Sequence, residues 1–202
     1  MKAENAKTVT APVSTTNQNE KPAKKSDPAE EMASAVLEGF KCEQKGDFPG
    51  AISAYTKALS AQDDSPVALI RRGIVYARMG KKAEALLDLR RATSPRTYPH
   101  TVTDFATLGW LRATSPLIEF RDGALAVSYG DKAVSYTDSA ENYDVLAAGY
   151  AEMGNFQKAR DTLMEGLKYF PNSERAKGMK ERLKLYENHK KFRDDWWPDG
   201  VE

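Results

Sequence analysis

The side chains best suited to catalysis or metal binding are one cysteine and two histidines. Cys42 is the only thiol, and His100 and His189 lie far from it and from each other in the sequence. These three residues do not have the spacing of a metal-ligand set, such as two histidines four residues apart on a helix. The sequence also lacks a phosphate-binding loop, a dinucleotide fingerprint and a nucleophile elbow. We therefore expect no catalytic residues, no metal site and no cofactor, and we predict that the protein is not an enzyme.

Two stretches near the C-terminus could instead carry binding chemistry. Trp196 and Trp197 stand side by side, and we expect the paired aromatic rings either to anchor an interface or to fold back onto the terminal helix or the last repeat. Residues 172–193 are rich in basic side chains, which most often form a solvated helix face. Nucleic-acid binding is disfavoured because the stretch lacks the interleaving of aromatic and basic side chains expected of such sites. The formal net charge of +1 adds no general attraction to nucleic acid or membrane.

The elements that must position these residues are revealed by an internal repeat. Residues 46–59, 80–93 and 154–167 each begin with a glycine, have an alanine five residues later and have a large apolar residue four residues after that. Gly46 and Gly80 are 34 residues apart. The interval from Gly80 to Gly154 leaves room for one more repeat. We place that repeat at residues 105–134, with a lengthened loop, SPLIEFRDG, between its two helices.

Each marked position has a mechanical reason. The glycines are predicted to end a first helix in a left-handed cap, a conformation that costs other residues energy. Small residues allow the second helix of each repeat to approach the first closely. On the first helices these are Gly39, Gly73, Gly109 and Ala147, and on the second helices they are Ala51, Ala85, Ala126 and Ala159.

This combination of spacing, glycine cap and small-residue seam resembles the tetratricopeptide-repeat (TPR) family. The resemblance implies an all-α, right-handed α-solenoid of about four TPR helical hairpins followed by a C-terminal capping helix. We predict a disordered N-terminal tail at residues 1–28 and a repeat domain at 29–171, with repeats near 32–65, 66–99, 102–139 and 140–173. The capping helix is predicted at 172–193, with its N-cap at Asn172 or Ser173, and a tryptophan-containing tail at 194–202.

The second half of the chain resembles a group of bacterial TPR proteins more closely. In that group a LAWLLATCP–RDG–A phrase precedes a LAAAYAEAGDF phrase, and a basic helix with a RLKLYxxxKPYR-like ending closes the chain. Here the corresponding stretches are LGWLRATSP with RDG, LAAGYAEMGNF, and ERLKLYENHKKFR. The likeness supports the fold and implies no particular activity. It also places Asp122 in the inter-helix loop, where we expect it to cap the following helix.

The resemblance further implies a concave groove lined by the first helix of each repeat. Projecting the family's groove positions onto this chain gives Thr103, Ala106, Glu141 and Ala148 together with the main candidates Val36, Phe40, Glu43, Val67, Ile70, Ile74, Trp110 and Asp144. Such apolar anchors suit an extended or helical peptide. An equally open alternative is that the chain's own tail or terminal helix fills the groove. The clamp for C-terminal carboxylates found in some TPR proteins is disfavoured, because Val36 and Phe40 stand where it needs Lys and Asn.

We therefore predict a non-enzymatic scaffold that binds a protein or peptide partner in the groove. One alternative is an accessory subunit that docks edge-on through the terminal helix, Trp196 and Trp197. A second is weak nucleic-acid binding through the basic helix. No apolar run approaches the roughly 18 residues of a membrane span. The N-terminus has no apolar stretch typical of a signal peptide, so we expect a cytoplasmic protein, or an exported one if a leader was removed.

Overall fold

The computed structural model describes residues 27–198, and this part of the chain is helical without strands. The predicted tail at residues 1–28 lies outside the described residues apart from Asp27 and Pro28, as do residues 199–202 of the predicted C-terminal tail. The helices are α1 (Pro28–Gln44), α2 (Phe48–Ala61), α3 (Pro66–Arg78), α4 (Lys82–Ala92), α5 (Val102–Thr114), α6 (Gly123–Tyr136), α7 (Ala140–Glu152), α8 (Phe156–Tyr169) and α9 (Ala176–Glu187), with a short 3₁₀ helix at Ile118–Phe120.

The helices form four hairpins that stack in sequence. α1 packs on α2, α3 on α4, α5 on α6, and α7 on α8, while α9 packs on α8 and so covers the last hairpin. The first helices of neighbouring hairpins also touch: α3 contacts α5, and α5 contacts α7. This is the all-α solenoid of four helical hairpins and a terminal helix that the repeat spacing predicts. None of the helices within residues 27–198 is long and apolar enough to cross a membrane.

Three of the hairpin turns depend on the predicted glycine caps, which the structure confirms. Gly46, Gly80 and Gly154 have φ angles of 73°, 73° and 80°. In each turn the glycine N–H and the N–H of the next residue both bond back to carbonyls of the finished helix, the pattern of a Schellman motif. The turn fixes the direction in which the second helix leaves, so the hairpin geometry is set locally by one residue.

The third hairpin has no such glycine, and its long loop takes a different route. The 3₁₀ helix inside the loop buries Phe120. Asp122 then caps α6 by accepting a hydrogen bond from the Leu125 N–H at 3.0 Å, as the sequence predicts.

The predicted small-residue seam is confirmed. Ala51, Ala85, Ala126 and Ala159 are each fully buried between the helices of their hairpins. A Cβ at Gly109 would come within 3.3 Å of Tyr129 on α6, and one at Gly73 within 3.1 Å of Leu89 on α4. The helices therefore approach at distances that only these small residues permit.

A glycine in α6 shows how tightly α6 and α7 pack, and it gives a testable prediction. A Cβ at Gly130 would lie 2.7 Å from the backbone Cα of Leu146, a clash that no side-chain rotation relieves. We expect Gly130→Ala to lower the free energy of unfolding by about 1–3 kcal/mol, although alanine is the better helix former. Urea unfolding followed by circular dichroism measures this. Ser128→Ala, at an exposed position of α6, is the matched control and should be neutral. A Gly130→Ala variant as stable as the wild type would contradict the close packing.

The terminal helix is shorter than predicted at both ends. It does not begin with an N-cap at Asn172 or Ser173, because residues 171–175 form two consecutive turns and the helix starts at Ala176. It ends at Glu187 rather than near residue 193, because His189 takes a left-handed conformation with φ 53°. The N–H groups of His189 and Lys190 bond to the carbonyls of Tyr186 and Leu185, so a Schellman motif without glycine stops the helix. Residues 190–198 follow without regular secondary structure up to Trp196, and we call them the C-terminal segment.

Candidate functional site

Two cavities open along the face formed by the first helices of the hairpins, which is the concave face of this architecture. The first cavity measures about 380 Å³ and lies between α3, α5, the turn before α9, α9 itself and the C-terminal segment. The second measures about 270 Å³ and lies between α1 and the beginnings of α3 and α5. We call the two cavities together the channel.

Six of the eight main groove candidates line this channel. Ile70, Ile74 and Trp110 contribute to the wall of the first cavity. The walls of the second include Val36, Phe40 and Val67. Of the additional positions, Ala106 and Glu141 line the first cavity and Thr103 lines the second, whereas Ala148 is buried and lines neither. Residues from all four repeats, distant in sequence, are therefore brought onto one face of the protein.

The two acidic candidates are placed differently. Glu43 accepts a hydrogen bond from the Tyr55 hydroxyl at 2.5 Å and pairs with Arg78 at 3.6 Å. Asp144 is fully buried, and its carboxylate accepts bonds from Arg175 at 2.8 Å and from Arg182 at 2.7 Å. Both carboxylates are thus engaged within the chain, and neither is presented free to a partner.

The C-terminal segment lies along one side of the first cavity. The Asp194 carboxylate accepts hydrogen bonds from the Trp110 indole N–H at 2.7 Å and from the Thr114 hydroxyl at 2.8 Å. The backbone N–H of Asp194 donates to the Thr114 carbonyl at 3.0 Å. The ring of Phe192 packs against Trp110 with centroids 5.8 Å apart. One residue of α5, Trp110, therefore holds two residues of the segment.

Basic residues of the segment attach it to the ends of α5 and α7. Arg193 donates to the Ala113 carbonyl at 3.2 Å and to the Glu152 carboxylate at 2.7 Å. Lys191 donates to the backbone carbonyl of Glu152 at 2.6 Å. The segment thus crosses the C-terminal ends of two first helices in turn.

Burial of the Asp194 carboxyl raises its pKa. The hydrogen bonds from Thr114 and Trp110, and the positive charges of Arg175 and Arg182, act in the opposite direction without cancelling the effect of burial. The ionised carboxylate is therefore held at some desolvation cost.

The two C-terminal tryptophans reach the first half of the protein. Trp196 is only 6% exposed and belongs to the core cluster of the first three hairpins, which includes Val75, Leu108 and Leu111. Trp197 is half-buried and meets Trp196 edge-on at 6.1 Å. Folding back onto the chain is one of the two outcomes that the sequence allows. The destination is neither α9 nor the last hairpin, because the segment runs across α7 and α5 towards α3.

Two arginines of the predicted basic face turn inward. Arg175 and Arg182 stand over the Trp110 ring, at 4.5 and 5.1 Å from its centroid. Arg182 is only 8% exposed and, like Arg175, is bonded to Asp144. Asp144 lies between Tyr143 and Val145 in the most apolar part of α7, and a carboxylate there was the sequence signal that a cation would be needed nearby.

The two cavities differ in chemistry. The first has guanidinium groups and carboxylates on its wall together with apolar and aromatic side chains; the charged residues are Arg71, Arg78, Arg175, Arg182, Glu141, Glu174, Asp194 and Asp195. The Arg71 guanidinium lies over the Phe40 ring at 4.6 Å, and its buried Nε has no hydrogen-bond partner. The second cavity is mainly apolar. Among the described residues there is no cluster of His, Cys, Asp and Glu that could hold a metal ion.

No protein-family model matches the chain, and no curated protein matches it. Solved structures do match. A crystal structure of MamA protein is 23% identical, with 80% of this chain and 90% of that chain covered and a TM-score of 0.45. The first TPR of Spaghetti (RPAP3), solved bound to the HSP90 peptide SRMEEVD, is 18% identical, with coverages of 79% and 97% and a TM-score of 0.34. At these identities the similarity concerns the arrangement of the helices alone.

Proposed function

We propose that this protein is a non-enzymatic protein-interaction scaffold that binds an extended protein segment in the channel. The observation that carries the proposal is that this face of the protein already holds such a segment, because the chain's own residues 190–198 dock there and form one wall of the first cavity. That segment is held by a main-chain hydrogen bond, by charged side chains and by a buried aromatic ring.

The form of the bound segment favours an extended partner over a helical one. Residues 190–196 have no regular secondary structure, so their backbone groups are free to bond to the channel. The N–H of Asp194 does so with the Thr114 carbonyl at the end of α5, where the last carbonyls of a helix lack partners within it. In a helical ligand the backbone N–H and C=O groups would already be hydrogen-bonded to one another.

The second cavity supplies apolar anchoring further along the same face. Val36, Phe40 and Val67 form part of a surface without the C-terminal segment among its lining residues. A partner longer than the C-terminal segment can therefore bury apolar side chains there. Burial of apolar area in a preformed groove is the usual source of affinity in peptide recognition.

The alternative functions have less support. Edge-on docking through the tryptophans requires exposed aromatic rings, but Trp196 is buried and Trp197 is half-buried. Nucleic-acid binding through α9 and the turn before it loses two of its cations, because Arg175 and Arg182 are paired with Asp144. The channel therefore remains the proposed site.

Peptide display on the full chain tests the proposal, because a peptide library samples many partner sequences at once. Selected extended peptides should bind in the channel, so Ile74→Glu should raise their Kd at least about tenfold, because the new carboxylate is placed in a partly apolar wall without a partner. Leu87→Glu is the matched control, since Leu87 is 63% exposed on α4 and is outside both cavities. Anisotropy titrations with labelled peptides give the Kd values. Equal loss of binding in both variants, or no loss in either, would argue against the channel.

A further inference from the structure

We propose that the C-terminal segment is a built-in competitor for the channel, and that the partner is an extended protein segment with an acidic residue followed two positions later by a bulky aromatic residue. This inference rests on the proposed function and specifies its ligand. Such a partner segment would repeat the contacts that Asp194 and Trp196 make and would displace residues 190–198.

The spacing of the recognised residues follows from extended geometry. Side chains two residues apart in an extended chain point to the same side. Asp194 and Trp196 both make contacts inside the protein, whereas Asp195 between them is exposed at the edge of the first cavity. The channel thus recognises alternate side chains, so two positions define the minimal motif.

The acidic position is recognised by groups that already point at it. The Trp110 indole and the Thr114 hydroxyl both donate to a single carboxylate oxygen of Asp194. Arg175 and Arg182, which stand over Trp110, add positive potential to this end of the cavity. If the segment were released, the indole N–H would lose its acceptor inside a partly buried wall, and a partner carboxylate would restore the lost bond.

The C-terminal segment leaves room for a better ligand. A cavity of about 380 Å³ persists beside it, with Ile70, Ile74 and Arg71 on the opposite wall. The buried Nε of Arg71 has no hydrogen-bond partner. A partner that fills this space can make apolar contacts there and accept a hydrogen bond from Arg71. The C-terminal segment does not fill the space and does not accept that bond.

The segment is positioned to compete because it is tethered next to its site. Only a short stretch separates the end of α9 at Glu187 from Asp194, and a short tether gives an effective concentration on the order of millimolar. If the segment as a free peptide had a Kd of about 10 µM for this site, an effective concentration of about 1 mM would exceed that Kd roughly 100-fold. Any competing peptide would then bind the intact chain roughly 100-fold more weakly than a chain whose segment is released.

The test uses a fluorescent peptide of residues 188–198, NHKKFRDDWWP, and the full chain throughout. The double variant Asp194→Asn, Trp196→Ala should release its own segment and bind this peptide at least tenfold more tightly than the wild type. The matched control, Asp63→Asn with Tyr98→Ala, makes the same chemical changes at two exposed residues outside both cavities and should bind like the wild type. A peptide with asparagine and alanine at the positions of Asp194 and Trp196 should not bind measurably.

Equal binding to the wild type and the double variant would overturn the inference, and so would binding to the control as tight as to the double variant. Concentration-dependent dimers of the wild type that dissociate when the peptide is added would also overturn it, because the occupant would then be a second copy. If display-selected peptides still bind through Ile74 when the motif peptide does not, the proposed function stands and only this inference fails.

A second measurement on the wild type does not depend on how well the double variant folds. Arg193 is held by its bonds to Ala113 and Glu152, so we expect trypsin to cleave after Arg193 mainly when the segment is released. Saturation with a channel-binding peptide should therefore speed this cleavage at least tenfold. Unchanged or slower cleavage would mean that the partner and the segment do not compete.

Discussion

Asp144→Ala should lower the free energy of unfolding by about 3–5 kcal/mol. Asp144 is fully buried and accepts hydrogen bonds from both Arg175 and Arg182. Removing the carboxylate leaves the guanidinium of Arg182, which is only 8% exposed, as a buried charge without its partner. Urea unfolding of the full chain measures the effect.

Two control variants show whether the loss comes from the broken pair. Glu141→Ala removes an exposed carboxylate from the same helix, α7, and should change the stability by less than about 0.5 kcal/mol. Adding Arg182→Met to Asp144→Ala removes the orphaned charge, so part of the stability should return. Equal effects of Asp144→Ala and Glu141→Ala would show that the buried ion pair does not hold the last hairpin to α9.

Trp196→Ala should release the C-terminal segment while the hairpins stay folded. Truncating a buried tryptophan typically costs about 3–5 kcal/mol, and here that loss falls on the docking of residues 190–198. Proteolysis of a locally open segment follows the population of its open state. Tryptic cleavage after Arg193 should therefore become at least about 100-fold faster, as measured by mass spectrometry over time.

The neighbouring tryptophan provides the control. Trp197 is half-buried, so Trp197→Ala should speed cleavage much less than Trp196→Ala does. Helical circular dichroism should hardly change in either variant, because the last described helix ends at Glu187. Cleavage at the same rate in both variants would mean that Trp196 does not anchor the segment.

The features that the sequence predicted well are those encoded locally or by the repeat. Gly46, Gly80 and Gly154 show their role in the sequence because a left-handed cap is a property of a single residue. The alanine seam could be predicted because its spacing recurs in each hairpin. Six of the eight main groove candidates lie along the two cavities, because the position of a side chain on a repeating helix fixes the face to which it belongs. That these residues bind a partner stays a prediction.

The features that the sequence did not predict depend on contacts between distant residues. The bond between Trp110 and Asp194 joins positions 84 residues apart, and no local pattern indicates which part of the stack the segment reaches. The same is true of Asp144 and Arg182. Each could be seen as a charged residue on a helix, but only tertiary packing makes them a buried pair. The end of α9 at a left-handed histidine was missed because glycine is the usual residue there.

The indole N–H resonance of Trp110 tests both whether the channel binds extended segments and whether residues 190–198 occupy it in the free chain. This proton bonds to Asp194 at 2.7 Å between heavy atoms, so its resonance reports on the occupant. We expect this resonance in the nitrogen-15 spectrum of the full chain to shift in Asp194→Asn and again on saturation with a channel-binding peptide. On peptide addition, the amide signals of residues 190–198 should become those of a mobile chain. A Trp110 resonance that stays unchanged in both experiments would contradict the account.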